Sequence, residues 1–141
     1  MASIQREIVV EAPADDVWAA VRDVGMPHER LVPGFLTDSR MDGNARIVTF
    51  ANGMVVRELI VDLDDRGRRF VWAAVGGKLS HHNASLQVFA EGPRRSRVVW
   101  IADLLPHELA GYVAGLMEQG LSVLKPTLEK EARPLGDQRL R

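Results

Sequence analysis

With 141 residues, 18 basic and 19 acidic side chains and no cysteine, the chain has the size of one domain and a net charge of about −1. Near-balanced charge gives no electrostatic drive toward nucleic acid or a membrane surface, and the missing cysteines exclude disulfides, thiolate metal sites and cysteine nucleophiles. Residues 1–20 carry no basic start followed by a long apolar run, and no window approaches the roughly 20 apolar residues of a bilayer span, so the expectation is a cytoplasmic protein without a membrane or nucleic-acid partner.

The first element, "IQREIVVE" from Ile4 to Glu11, is rich in strand formers. "APADDVWAAVRDV" follows, with a proline and two aspartates at its start, both favourable at a helix N-terminus. Val17, Trp18, Val21 and Val24 then recur at helical spacing, Gly25 and Pro27 end the helix, and "HERLVPG" predicts one further short turn.

From Phe35 the period changes to two. "FLTDSRM", "ARIVTFA", "MVVRELIVDL", "RRFVWAAV", "HHNASLQVFAE" and "RVVWIADLL" are separated by the turn signals Asp42-Gly43-Asn44, Asn52-Gly53, Asp64 to Gly67, Gly76-Gly77 and "GPRRS". This predicts an antiparallel meander. A long helix is then expected from His107 to about Ala132, with Leu109, Tyr112, Val113, Leu116, Gly120, Val123 and Leu124 along one side. Residues 1–133 read as a single domain, and 134–141, broken by Pro134 and Gly136, as a flexible tail.

Glu58 interrupts an otherwise apolar strand. Met54, Val56, Glu58 and Ile60 share one face and Val55, Arg57, Leu59 and Val61 the other. Both rows are mostly apolar, so alternation leaves the inward face open. Glu58 is either a structural ion pair with Arg46 or Arg57, or a carboxylate in an apolar cavity. In the second case, without a cation, desolvation would favour its neutral form and make it a candidate acid or base. His82 shares a face with Ala84, Leu86 and Val88, opposite the more polar Ser85 and Gln87, and is expected to face inward. It is the second candidate for proton transfer. Adjacent His81 must point the other way, so the two cannot clamp one metal. Trp100, in the apolar row Val98, Trp100, Ala102 and Leu104, is placed on an inward face.

Strand, two short helices, six strands and a long terminal helix, carried by "IVVEAPADDVWAAVRDVG", "NGMVVRELIVDLDD", "FVWAAVGG" and "RVVWIADLLP", resemble the START, Bet v 1 and polyketide cyclase/dehydrase superfamily. The implied fold is α+β, a helix-grip arrangement in which a curved antiparallel sheet of about seven strands wraps the last helix. Glu58 through Gly76-Gly77 to Asn83 also resembles, without gaps, the plant hormone receptor branch. In that branch the matching glutamate, the aromatic before the glycine pair and three positions on the last helix line the ligand pocket. Position by position the resemblance implies Glu58, Trp72, Ala84, Tyr112, Leu116 and Gly120, to which the strand faces add Met54, Val56, His82 and Trp100. The receptors hold a tyrosine where this chain has Ala84, and their mobile gate is reduced here to the turn Asn52-Gly53, which argues against reception by a moving gate.

No G-x-G-x-x-G, P-loop, H-E-x-x-H or G-x-S-x-G motif is present, and Lys78, Lys125 and Lys130 fall in a loop or late in the last helix. No cofactor, metal or Schiff-base lysine is therefore expected. Three functions remain: binding of a hydrophobic small molecule, cyclase, dehydrase or isomerase chemistry through Glu58 or His82, and a filled scaffold that homodimerises. Glycines in the last helix carry two readings as well. They either permit close approach of helix and sheet, or leave volume for a ligand.

Overall fold

Proline at position 13 closes the first strand and opens a helix, and this local choice sets the architecture. The computed structural model describes residues 1–132; the tail expected at 134–141 lies outside them. Strand β1 (Ala2–Val10) leads into α1 (Ala14–Arg22) and the single turn α2 (Pro27–Arg30). The meander then runs through β2 (Leu36–Asp42), β3 (Ala45–Phe50), β4 (Val55–Asp64), β5 (Arg69–Val75), β6 (His81–Ala90) and β7 (Ser96–Leu105). A 3-10 turn at His107–Leu109 precedes α3 (Ala110–Glu131). This is the α+β helix-grip fold that the element order predicted.

All seven strands form one antiparallel sheet in the order β1-β7-β6-β5-β4-β3-β2, so the first strand closes the sheet beside the last. Register shifts fall between Leu36 and Asp38 in β2 and between Ile60 and Asp62 in β4. Such bulges add local twist and bend the sheet. The shift in β4 also moves the inward row by one residue: Ile60 and Leu63 both pack on the core, while Val61 is exposed. Strict alternation therefore holds only up to Ile60.

Helix α1 buries the residues its spacing predicted, Val17, Trp18 and Val21. Trp18 satisfies its indole N–H on Asp65 of the β4–β5 hairpin tip at 2.9 Å, and Arg22 bonds the same carboxylate at 2.8 Å. Along α3 the buried row is Val113, Met117, Gly120, Leu121, Leu124 and Leu128. This row is rotated from the predicted one. Tyr112 is 53% exposed and Leu116 half-buried, while Met117, Leu121 and Leu128 supply the packing. Lys125 fixes the helix to the sheet edge, its Nζ donating to the Val9 carbonyl at 2.8 Å and pairing with Glu129 at 2.6 Å.

Candidate functional site

Between the concave sheet face and the N-terminal half of α3 lies a pocket of about 590 Å³. That size suits a small organic molecule. Sheet strands β3 to β7 each send side chains into its wall, and α2 with the loop after it closes one side through Leu31, Val32 and Phe35.

Arg46 and Glu58 meet at this wall. They stand directly opposite each other on β3 and β4, and Arg46 Nε donates to Glu58 Oε1 at 2.8 Å. Both are buried, at 6% and 8% exposure. Arg46 Nη1 also donates to the Val24 carbonyl at 3.0 Å, and its guanidinium carbon lies 5.1 Å from the Phe70 ring centre and 5.9 Å from that of Trp72. Stacking on two aromatic faces suits the weakly hydrated guanidinium and compensates part of its desolvation. Of the two cations weighed for Glu58, the structure selects Arg46. Arg57 points outward to Asp42 at 2.6 Å, where their pairing holds the Asp42 carboxyl below its usual range. The case for Glu58 as a lone carboxylate acting as acid or base thus loses its premise, because a hydrogen-bonded cation accompanies it.

His82 is set by an interruption in the ladder. Strands β5 and β6 pair from Arg69↔Gln87 to Trp72↔Ala84 and no further, although β6 stays paired with β7 through His81↔Leu105. Where the two strands part, the Ala74 N–H donates to His82 Nδ1 at 2.9 Å. A side chain thus takes the place of a ladder partner. Burial is the main cause holding the imidazole pKa below its ordinary value; His81 lowers it further, against the opposing fields of Glu58 and Asp103. An N–H can only donate, so Nδ1 is bare and the neutral ring carries its proton on Nε2.

Aromatic side chains make up much of the rest. Trp72 stacks on Phe70 at 5.1 Å and meets Trp100 at 5.8 Å, while Phe35 and Phe50 contact edge to face at 5.4 Å. At the mouth, the Tyr112 hydroxyl lies 3.7 Å from Met54 Sδ, linking α3 to the Asn52-Gly53 turn. Gly76 and Gly77 also line the pocket, with φ of 89° and 66°, a left-handed conformation that favours glycine.

Eight of the residues singled out in sequence stand in this wall: Met54, Val56, Glu58 and Trp72 on the sheet side, His82 and Trp100 beyond them, and Tyr112 and Leu116 on the helix. Ala84 and Gly120 do not. Ala84 is buried in the core at 1% exposure. At Gly120 a Cβ would sit 2.8 Å from Trp100 Cζ3 and 3.5 Å from Phe35 Cε2, so the missing side chain makes room for protein and not for a ligand. Arg46, Phe35, Phe50 and Met117 were not among the predicted wall residues, though they line the pocket. The signal for Arg46 was its place in an alternating row with Val48 and Phe50; Val48 is fully buried. Among the described residues, no cluster of three or more His, Asp or Glu side chains could hold a metal, and no helix is long and apolar enough to cross a membrane.

The same architecture recurs in solved structures. A Thermobifida fusca protein solved by NMR is 26% identical, with a TM-score of 0.77 over 94% of this chain and 93% of its own. Norcoclaurine synthase from Thalictrum flavum, in complex with dopamine and hydroxybenzaldehyde, is 18% identical, with a TM-score of 0.70 over 92% of this chain and 84% of its own. The di-domain aromatase/cyclase BexL of the BE-7585A biosynthetic pathway is 21% identical, with a TM-score of 0.77 over 95% of this chain and 48% of its own. No curated protein sequence matches. The family model described as polyketide cyclase / dehydrase and lipid transport matches residues 1–129, nearly the whole described chain, and the chain belongs to that family, within the START and Bet v 1-like superfamily.

Proposed function

We propose that the protein binds one hydrophobic small molecule in the pocket under α3. The observation that carries this reading is the wall itself: largely aromatic and aliphatic, with the polar atoms of Arg46, Glu58 and His82 gathered on the sheet side. Apolar surface supplies the affinity and a few placed polar groups orient the ligand. The same composition would suit a lipid-, polyketide- or aromatic-like molecule. Native mass spectrometry after mild purification tests it. A molecule of defined mass retained at one per chain is expected, and Leu116→Trp, which fills the pocket from the helix side, should emerge without it. A wild-type spectrum with no adduct, together with no uptake of added hydrophobic probes, would overturn the reading and favour a filled scaffold. The same spectrum reads whether the chain is monomer or homodimer.

A second reading, catalysis of the cyclase, dehydrase or isomerase kind, draws on the two enzymes among the structural neighbours and on the imidazole in the wall. In it the pocket folds the substrate and His82 handles a proton or polarises a carbonyl, with the Arg46–Glu58 pair as a fixed dipole beside it. Glu58→Gln would leave turnover within a few fold if Glu58 only anchors Arg46, and would abolish it if Glu58 transfers the proton.

A further inference from the structure

Three polar atoms in the pocket wall have no partner among the described residues and yet are not sealed. Arg46 uses Nε and Nη1, leaving Nη2; Glu58 uses Oε1, leaving Oε2; His82 uses Nδ1, leaving Nε2. Among the described residues the sealed, unsatisfied side-chain polar atoms are His28 Nδ1 and Ser39 Oγ, elsewhere in the fold. The three open atoms are therefore accessible, on side chains that line the pocket. What each can offer follows from its chemistry. Arg46 can only donate, and Glu58 hydrogen-bonded to a guanidinium can only accept. His82 would be ambiguous as a free imidazole, but the Ala74 N–H removes the ambiguity by claiming Nδ1 as acceptor.

From this geometry we infer that His82 is a fixed hydrogen-bond donor, and that the ligand is an uncharged apolar molecule carrying a carbonyl oxygen that accepts from His82 Nε2–H. The inference rests on the binding reading above and narrows its ligand class. The sign of the ligand's charge follows from the neighbours. Arg46 and Glu58 cancel at 2.8 Å, and the other cation of the lining, Lys78, is exposed to solvent just after Gly76-Gly77, so the buried part of the wall has no net positive charge to offset the cost of burying a carboxylate, and Glu58 Oε2 would repel one. A carbonyl meets neither penalty. A bare hydrocarbon would bind by area alone and, on filling the pocket, displace water from Nε2–H without replacing the hydrogen bond. The parting of β5 from β6 has a role here: were the ladder continued past Trp72↔Ala84, the Ala74 N–H would be committed to the backbone and the ring tautomer would be free to change.

Three naphthalene probes of matched shape separate the possibilities: 6-propionyl-2-(dimethylamino)naphthalene, its 6-propyl counterpart with a hydrocarbon chain in place of the ketone (the hydrocarbon probe), and 6-(dimethylamino)-2-naphthoate. The ketone should bind the wild-type protein most tightly, with emission shifted to the red of its value in a non-donating solvent, as hydrogen bonding to its oxygen requires. His82→Asn keeps an acceptor for the Ala74 N–H but falls short of the Nε2 position. It should weaken the ketone by roughly three- to tenfold, the worth of one neutral hydrogen bond, and shift its emission to the blue. Hydrocarbon affinity should stay within about twofold, since the apolar wall is untouched. His82→Gln, whose amide nitrogen reaches the Nε2 position, should recover part of the ketone preference. Independently of any ligand, 15N NMR of the imidazole should give a protonated Nε2 and a bare Nδ1. Ketone and hydrocarbon bound equally by the wild type, tighter binding of the carboxylate, or the opposite tautomer would overturn the inference while leaving the pocket as a binding site. Failure of every probe to bind would instead remove the binding reading on which the inference stands.

Discussion

The two halves of α3 lie on the same sheet and do opposite things. Its C-terminal half is solid apart from Leu124, which ends the pocket: Leu121 and Leu128 are 4% and 3% exposed, and Lys125 pins the backbone of β1. Its N-terminal half is a roof over a pocket, where Tyr112 is half exposed and Leu116 only half-buried, both lining the hollow. One continuous helix can span a hollow because its other end is clamped. Packing energy gathered at one place holds open a volume at another, and this division makes the two halves respond differently to the same kind of substitution.

The largest expected effect lies on the floor of the hollow half. Arg46→Met leaves Glu58 buried without its cation and should cost about 3–5 kcal/mol in denaturant unfolding. The double variant Arg46→Met/Glu58→Leu should recover most of it, because an apolar pair no longer strands a charge. Next, Leu121→Ala in the solid half should cost about 2–5 kcal/mol through the cavity it leaves. Leu116→Ala, already facing empty volume, should cost only about 1 kcal/mol. Equal losses at 116 and 121 would erase the distinction between the halves.

Glycines sharpen it further. Gly120→Ala drives a methyl into Trp100, an overpacking cost of about 1–3 kcal/mol against about 1 kcal/mol gained in helix propensity, so a net loss and a displaced indole are expected. Gly115→Ala meets nothing and should stabilise by about 1 kcal/mol, the propensity gain alone. Thermal melts of the pair should move in opposite directions.

Acid gives the smallest effect. Because the folded state holds the His82 pKa below the ordinary 6.5, the unfolded chain takes up a proton first as pH falls. Stability is therefore full above about pH 6.5 and declines below it, toward the folded pKa. Nδ1 protonation would also break the bond from Ala74. In His82→Asn the part of this slope due to His82 should vanish, which denaturant midpoints measured across pH 5–7.5 will show.

Legibility in the sequence followed the range of the physics involved. Helix and strand periods, glycine turns and the proline at position 13 are local, and the element order they predicted is the one the fold adopts. Trp100 was readable because Val98, Trp100 and Ala102 form an apolar row in a strand whose other face carries Arg97 and Asp103, whereas both rows of β5 are mostly apolar and Trp72 was placed by resemblance. Glu58 was not, since both rows of β4 are apolar up to the bulge; its partner was decided by register, which sets Arg46 opposite it and sends Arg57 to Asp42. Gly120 matched a pocket position by resemblance alone, but a tryptophan from β7 occupies the space beneath it. The donor state of His82 depends on where two strands separate, a non-local event with no signature in "SHHNAS".

The most direct measurement is a calorimetric titration of the wild-type protein and Leu116→Trp with the uncharged naphthalene ketone at several temperatures. Saturation at one molecule per chain with a negative heat-capacity change, and loss of that binding in Leu116→Trp at unchanged melting temperature, is the predicted outcome. Absent or non-saturating heat in the wild type, or equal binding by the two proteins, would contradict a ligand site under α3.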